Sequence, residues 1–337
     1  MSVLGRDLGG DKAAVVPPAE VRTYYDRPVI KPPVWKPEVP WYFFFGGLAG
    51  ASSLLAAAAG VRGDAGLARA ARRVAGVGAA VSPVLLVADL GVPGRFANML
   101  RVFRPTSPLN MGSWLLTVYV PSALGAAALG ELGRLPRLRM VAQAGAALGG
   151  LGMATYPAVL VANTAVPVWH EARRELPFVF AGTAAATAGA AAAMLGPAGA
   201  SPGRRLVVLG TVIEQAAVAV MERRLGELAE PYHEGRAGRY AAWAKRCTIA
   251  GAATMALGRR RRVVAVAGGA LVLAGGLLER WAVFRAGFQS AQRPADTVRP
   301  QRERVTAAAA GTPPCGSPRT CISAAADIFE RFFRATQ

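Results

Sequence analysis

The chain has 337 residues, 53% of them hydrophobic, with 39 Lys plus Arg against 20 Asp plus Glu and a formal net charge of +19. A nucleic-acid binder would gather that charge into one patch or stripe, whereas here the arginines are spread over almost every connector, as in a multi-pass membrane protein. Three cysteines and two histidines further narrow the field: a cluster of iron and sulfur usually takes four cysteines, and His170 and His233 both fall in connectors, so neither an iron–sulfur cluster nor a bis-His haem is expected in this chain.

Residues 1–40 read as an extra-membrane arm. The run DRPVIKPPVWKPEVPWY holds five prolines and is expected to be extended. The arm has no apolar core of a cleavable signal peptide, so the first span is expected to direct insertion itself. Trp35, Trp41 and Tyr42 fit an interfacial aromatic belt at the entrance to that span.

Crossing the hydrocarbon core takes roughly 20 apolar residues. Stretches of that kind run near 41–60, 74–88, 113–130, 141–162, 178–195, 206–221, 241–257 and 263–284. The expected fold is therefore an all-α integral membrane protein of about eight transmembrane helices over residues 41–285, arranged as two four-helix bundles. Lipid offers the backbone no hydrogen bonds, so helices are favoured over open sheets. Several spans are rich in Ala and Gly, which suits close helix packing. Gly46, Gly47 and Gly50 give the first span a smooth face, for close helix approach or for a flat ligand. A soluble Ala-rich bundle is the alternative, and eight near-uncharged stretches at this spacing argue against it.

Connectors after the odd spans are short and dense in arginine: Arg62, Arg69, Arg72 and Arg73, then Arg134, Arg137 and Arg139, then Arg204 and Arg205, then Arg259 to Arg262. By the positive-inside rule these face the cytoplasm, which places both termini outside a bacterial plasma membrane. Connectors after the even spans interleave acids with bases. Two of them are strongly patterned: DLGVPGRFANMLRVFRPTSPLNMGSW from Asp89 to Trp114 and NTAVPVWHEARRELP from Asn163 to Pro177. They are expected to form a docking face, with Arg95, Arg101, Arg104, Trp169 and His170 as contacts for a partner subunit. Residues 286–337 read as a polar, disordered tail. Cys247 reads as a packed small side chain, Cys315 and Cys321 as unpaired tail residues or a local disulfide, and Ile328, Phe329, Phe332 and Phe333 as one face of a small interfacial helix or as part of a disordered extension.

Acids in or beside membrane spans are costly and often functional. Glu214 lies mid-span in LGTVIEQAAVAVMERR, as a proton relay or as a partner that only holds the bundle. Asp89 ends the second span, either pairing with Arg95 or Arg101 or accepting a proton at the membrane surface. Glu38, among prolines and aromatics before the first span, is a third candidate for proton handling. Tyr42 and Tyr156 stand near span ends, where a phenol can hydrogen-bond a quinone carbonyl while its ring lines an apolar slot. No nucleotide fingerprint, catalytic triad or metal-ligand spacing is present.

These segments together resemble the NrfD/polysulfide reductase membrane-subunit family, of the actinobacterial type. The resemblance is carried by YYDRPVIKPPVW with WYFFFGGLAGASSLLAA, by SPVLLVADLGVPGRFANMLRVFRPTSPLNMGSW, by YPAVLVANTAVPVWHEARRELPF and by RWAVFRAGFQSAQRPADTV. It covers about residues 23–304. It implies eight helices in two groups of four and no resident redox cofactor. It also implies an exchangeable quinone (menaquinone or ubiquinone) near the membrane surface, against an iron–sulfur, ferredoxin-like partner subunit. A molybdopterin catalytic subunit completes such complexes. By position, the quinone contacts fall at Val39, Tyr42 and Tyr156. Better-studied members use an amide and an imidazole at the first two, and Val39 has no side-chain hydrogen bond to offer. The function expected is a membrane anchor that exchanges electrons between the quinone pool and its iron–sulfur partner. Two alternatives stand beside it. A secondary transporter would couple through Glu214 and should break its helix there, where no Gly or Pro interrupts. A purely structural anchor would have no quinone site.

Overall fold

The computed structural model describes residues 28–90, 92–196, 201–258 and 262–309. Cys315, Cys321 and the expected interfacial helix near Phe329 lie outside the described residues. Every regular element among the described residues is helical. Eight long helices run α1 Glu38–Val61, α2 Ala65–Asp89, α3 Pro108–Leu132, α4 Pro136–Ala162, α5 Leu176–Leu195, α6 Ser201–Leu225, α7 Gly235–Leu257 and α8 Arg262–Gln292. A ninth, α9 Pro294–Ala309, follows.

Six of these, α1 to α5 and α8, are long and apolar enough to cross a membrane. The other two have the length but more charge: α6 carries Glu214 and Glu222, and α7 carries Lys245 and Arg246. Valines and leucines such as Val118, Leu148 and Val212 point outward, more than half exposed. An apolar exterior over a packed interior is what lipid, rather than water, accepts as its contact surface.

The helices form two groups of four. α1, α2, α3 and α4 pack as one ring of neighbours, and α5, α6, α7 and α8 as the other; α1 and α4 join the groups through α5, and α1 also meets α8. Glycines set the closest approaches. A Cβ on Gly50 would lie 2.5 Å from the Gly150 carbonyl oxygen, and the reverse contact is as tight, so α1 and α4 touch backbone to backbone. Close helix approach is thus what the smooth face of the first span serves at Gly50. In the second group a Cβ on Gly182 would sit 2.6 Å from the Glu214 amide nitrogen, which brings the middle of α6 against α5.

Two expected boundaries move. α2 begins at Ala65 rather than near Val74, because Arg69, Arg72 and Arg73 continue the helix on the polar side of the membrane boundary. Asp64 caps it, accepting from the Leu67 amide at 2.9 Å. The expected polar tail from residue 286 is also corrected: α8 continues to Gln292 and α9 occupies 294–309. Arg293 pairs with Glu230 at 3.0 Å and also with Glu234, and Arg299 pairs with Glu227, tying the junction and α9 to the 226–234 connector.

The helix ends sort into two faces. One holds the tight 62–64 and 133–135 turns with their arginines. The opposite one holds residues 28–37, 92–107, 163–175, 226–234 and α9; there Trp35 of the arm stacks on Trp169, the 163–175 and 226–234 segments meet, and Arg299 of α9 pairs with Glu227.

Candidate functional site

The expected quinone residues gather where the first group meets the polar face. Glu38 opens α1, with Val39 beside it and Tyr42 one turn on. Tyr156 lies on α4, one turn beyond Met153, and Met153 packs against Gly46 of α1. Val39 and Tyr42 are both buried, Tyr42 only 3% exposed. Tyr42 is therefore not the belt residue that its position before the span suggests; Trp41, 38% exposed, fills that role.

The two phenols differ in their bonding. Tyr156 donates its hydroxyl hydrogen to the Pro108 carbonyl at 2.8 Å, joining α4 to the first turn of α3. The Tyr42 hydroxyl has no hydrogen-bond partner among the described residues. Glu38 Oε2, one turn before it, is buried and equally unpartnered among them. Unpaired buried polar atoms are few in native proteins, and each calls for a ligand, a water or a functional role. So the polar atoms at this end that are open to a flat carbonyl ligand belong to Glu38 and Tyr42, not to Tyr156.

Asp89 is drawn to the same end, but not by arginine. Its Oδ1 accepts from the Lys36 amide at 3.0 Å, across to the extended arm that leads into α1. The expected pairing with Arg95 or Arg101 is replaced by a brace that holds the arm against α2. Arg95, Arg101 and Arg104 are exposed on the 92–107 segment, where a partner can reach them.

The organiser of that segment is Asn110, a residue that sequence reasoning passed over. Its Oδ1 accepts from the Arg104 amide at 2.7 Å, and its Nδ2 donates to the carbonyls of Met99 at 2.7 Å and Val102 at 2.8 Å. Ser107 caps α3, and Phe103 packs edge-on against Trp114 at 6.0 Å. The legible signal was an asparagine just inside a helix that opens with Ser-Pro. Each neutral bond contributes about 0.5–1.5 kcal/mol, so Asn110→Ala is expected to cost roughly 2–3 kcal/mol of local order. Limited proteolysis should then cut within 92–106 faster than in the parent chain, while the thermal unfolding of the helices shifts little.

The second patterned loop divides its expected docking pair. His170 is exposed, its Nδ1 3.2 Å from the Ala162 carbonyl oxygen. Trp169 is 0% exposed and is corrected from docking contact to core: its indole donates to the Val283 carbonyl at 2.8 Å and stacks on Trp35 at 5.4 Å. A tryptophan buries best where its N–H has a partner, and α8 supplies one. Glu175 was also missed: Arg224 holds it with two bonds, of 2.6 and 2.7 Å, fastening the loop to the end of α6.

A second constellation lies inside the α5–α8 group. Glu214, Glu279 and Arg280 are buried at 0%, 7% and 1% exposure. The Arg280 guanidinium lies 3.7 Å over the Phe180 ring and donates through Nη2 to the Phe180 carbonyl at 2.9 Å. Gly47 of α1 leaves room beside it, so this arginine sits at the junction of the two groups. Glu214 interacts with both Glu279 and Arg280, while Glu214 Oε2 and Arg280 Nε and Nη1 keep no hydrogen-bond partner among the described residues. From the polar face, Glu222 and Tyr232 lead toward Glu279. Burial pushes the Tyr232 phenol far above its ordinary range, with Glu279 and Glu222 adding to the effect, so it remains a neutral hydroxyl. Sequence reasoning found Glu214 alone. Glu279 and Arg280 stand near the expected end of the last span, where charges pass for interfacial ones.

An all-helical bundle with six spans apolar enough to cross a membrane, buried charge in one half and two phenols near the polar face in the other is that of a multi-pass membrane protein. Residues 29–221 match the family described as polysulphide reductase, NrfD, and the chain belongs to that family. The match runs from the arm through most of α6. Such proteins are typically membrane subunits of oxidoreductase complexes, which fits a membrane anchor. No curated protein matches the chain.

Proposed function

We propose that this chain exchanges electrons between a membrane quinone and an iron–sulfur partner of a respiratory complex, with a molybdopterin subunit beyond it. The observation that carries the reading is Glu38 Oε2, buried and without a hydrogen-bond partner among the described residues, one helical turn before the buried Tyr42. A quinone supplies a couple of two electrons and two protons. The Tyr42 hydroxyl donates to its carbonyl, Val39 and the α1–α4 contact offer apolar walls, and Glu38 passes a proton to or from the surface. Tyr156 shapes the wall and holds α3 in place. The iron–sulfur subunit docks on the polar face through Arg95, Arg101, Arg104 and His170. By the positive-inside rule, the arginine-dense turns on the opposite face support a cytoplasmic turn side, with the polar face outside a bacterial plasma membrane.

Protons are handled in the second group. Two carboxyl groups, Glu214 and Glu279, lie in the field of one guanidinium, that of Arg280, and a proton exchanging on them balances the charge. Glu222 and Tyr232 supply the route to the polar face.

The test is a pair of variants in the assembled complex. Tyr42→Phe is expected to raise the KM for quinone roughly three- to tenfold, the value of one lost hydrogen bond. Tyr156→Phe loses its bond to Pro108 instead, so it lowers thermal stability and leaves KM within twofold. The opposite pattern, with KM responding to Tyr156 and not to Tyr42, would overturn the assignment. No response to either leaves the structural anchor as the better reading.

A further inference from the structure

The basic face carries a cleft of about 510 Å³ that plays no part at the polar face. It opens between the C-terminal end of α1 and the N-terminal ends of α2 and α4. Gly60, Ala68 and Met140 make most of its wall apolar, and Arg72, Arg139 and Gln143 are its polar members.

Its charge is one-sided. Glu131, the acid at this end of α3, is held by Arg73 through bonds of 2.9 and 2.6 Å. Arg72 and Arg139 are half-buried and have no hydrogen-bond or ion-pair partner among the described residues, and Arg69 adds a third cation to their field. The Arg72 side chain is oriented by Gly130, where a Cβ would lie 2.8 Å from its Nε. Gln143 donates to the Ser53 carbonyl at 3.0 Å and keeps Oε1 buried and unpartnered among the described residues. Two guanidiniums at the mouth of an apolar recess, at the level where helices leave the bilayer, ask for an anion that carries its own hydrocarbon. A soluble anion would answer the charge and leave the trough bare. A zwitterionic lipid would fill the trough but bring its own cation to the arginines.

We propose that this cleft binds one anionic phospholipid, with its phosphate on Arg72 and Arg139 and its glycerol and upper acyl chain against Gly60, Ala68 and Met140. The site is independent of quinone chemistry on the opposite face.

Native mass spectrometry of the full chain in micelles doped with phosphatidylglycerol or phosphatidylcholine tests it. The parent chain is expected to retain one phosphatidylglycerol and to lose phosphatidylcholine. The double variant Arg72→Gln/Arg139→Gln should retain at least tenfold less. Gly60→Leu gives a second measure that leaves the charge intact: a Cβ there meets nothing within 4 Å, so the helix accepts it while the side chain fills the cleft. It too should lose the lipid, with unchanged helix content. Arg134→Gln/Arg137→Gln, on the same face outside the cleft wall, should retain it. Equal retention in either cleft variant overturns the proposal. So does equal loss in the control, which would show only a diffuse basic face, or displacement by millimolar inorganic phosphate, which would show a soluble-anion site.

Discussion

Replacing Arg280 with methionine is expected to destabilise the chain by about 3–5 kcal/mol, the order of cost when buried carboxyls lose the one cation whose field they share. Methionine is close in length and apolar, so packing loss is kept small. What goes is a guanidinium that acts electrostatically on both Glu214 and Glu279, its bond to the Phe180 carbonyl and its place over the Phe180 ring. Two buried carboxyls then face each other without a cation. Thermal unfolding in detergent reads the loss, and a charge-balanced triple variant checks its cause. Adding Glu214→Gln and Glu279→Gln to Arg280→Met removes the unpaired charge and should recover more than half of the lost stability. No recovery would place the effect in packing at the α1–α5–α8 junction instead. Glu214→Gln alone keeps the side chain's shape and its neighbour Gln215. It should leave stability near the parent value while abolishing proton uptake or release coupled to the proposed quinone turnover in vesicles. Unchanged proton coupling in that variant would leave Glu214 as a strut.

Trp169→Ala is expected to be about as costly to stability, roughly 3–5 kcal/mol for truncating a fully buried tryptophan. Its consequence should appear at a different place. Trp169 joins three parts of the polar face: it stacks on Trp35 of the entering arm, belongs to the 163–175 loop, and donates to the Val283 carbonyl on α8. Gly287, one turn further along α8, is what makes room for the indole, since a Cβ there would collide with the ring. Removing the ring should therefore free the arm and the loop together, and lose the proposed partner subunit during purification of the complex. Gly287→Val, which pushes on the ring from behind, should reproduce that loss with Trp169 still present. A complex that survives both substitutions would show that the polar face is not held by this residue.

Membership and membrane character were legible early, because they rest on properties that one chain carries along its length. Eight largely apolar stretches, six of them long and apolar enough to cross a membrane, arginines in the connectors after odd spans and two patterned polar loops need no partner segment to be read. Glu38 was within reach from its setting among prolines and aromatics, and Tyr42 and Tyr156 from their position in the resemblance. Asn110 and Glu175 were not. Each is an ordinary polar residue whose meaning lies in what it touches: main-chain groups of the 92–104 segment in one case, Arg224 from α6 in the other.

By itself the sequence determined the medium, the number of long helices and their alternation, since a backbone in lipid must close its hydrogen bonds within each helix and the connectors are too short for other routes. Tertiary structure decided which polar atoms are spoken for. Packing of α3 on α4 takes the Tyr156 hydroxyl, and the arm's return onto α2 takes Asp89. The α8 backbone takes the Trp169 indole. It also decided that Glu214 has company, because Glu279 and Arg280 come from a helix some 65 residues further along the chain. Charges that distant are invisible to one another in a sequence, and in a membrane interior their proximity is what makes any of them tolerable.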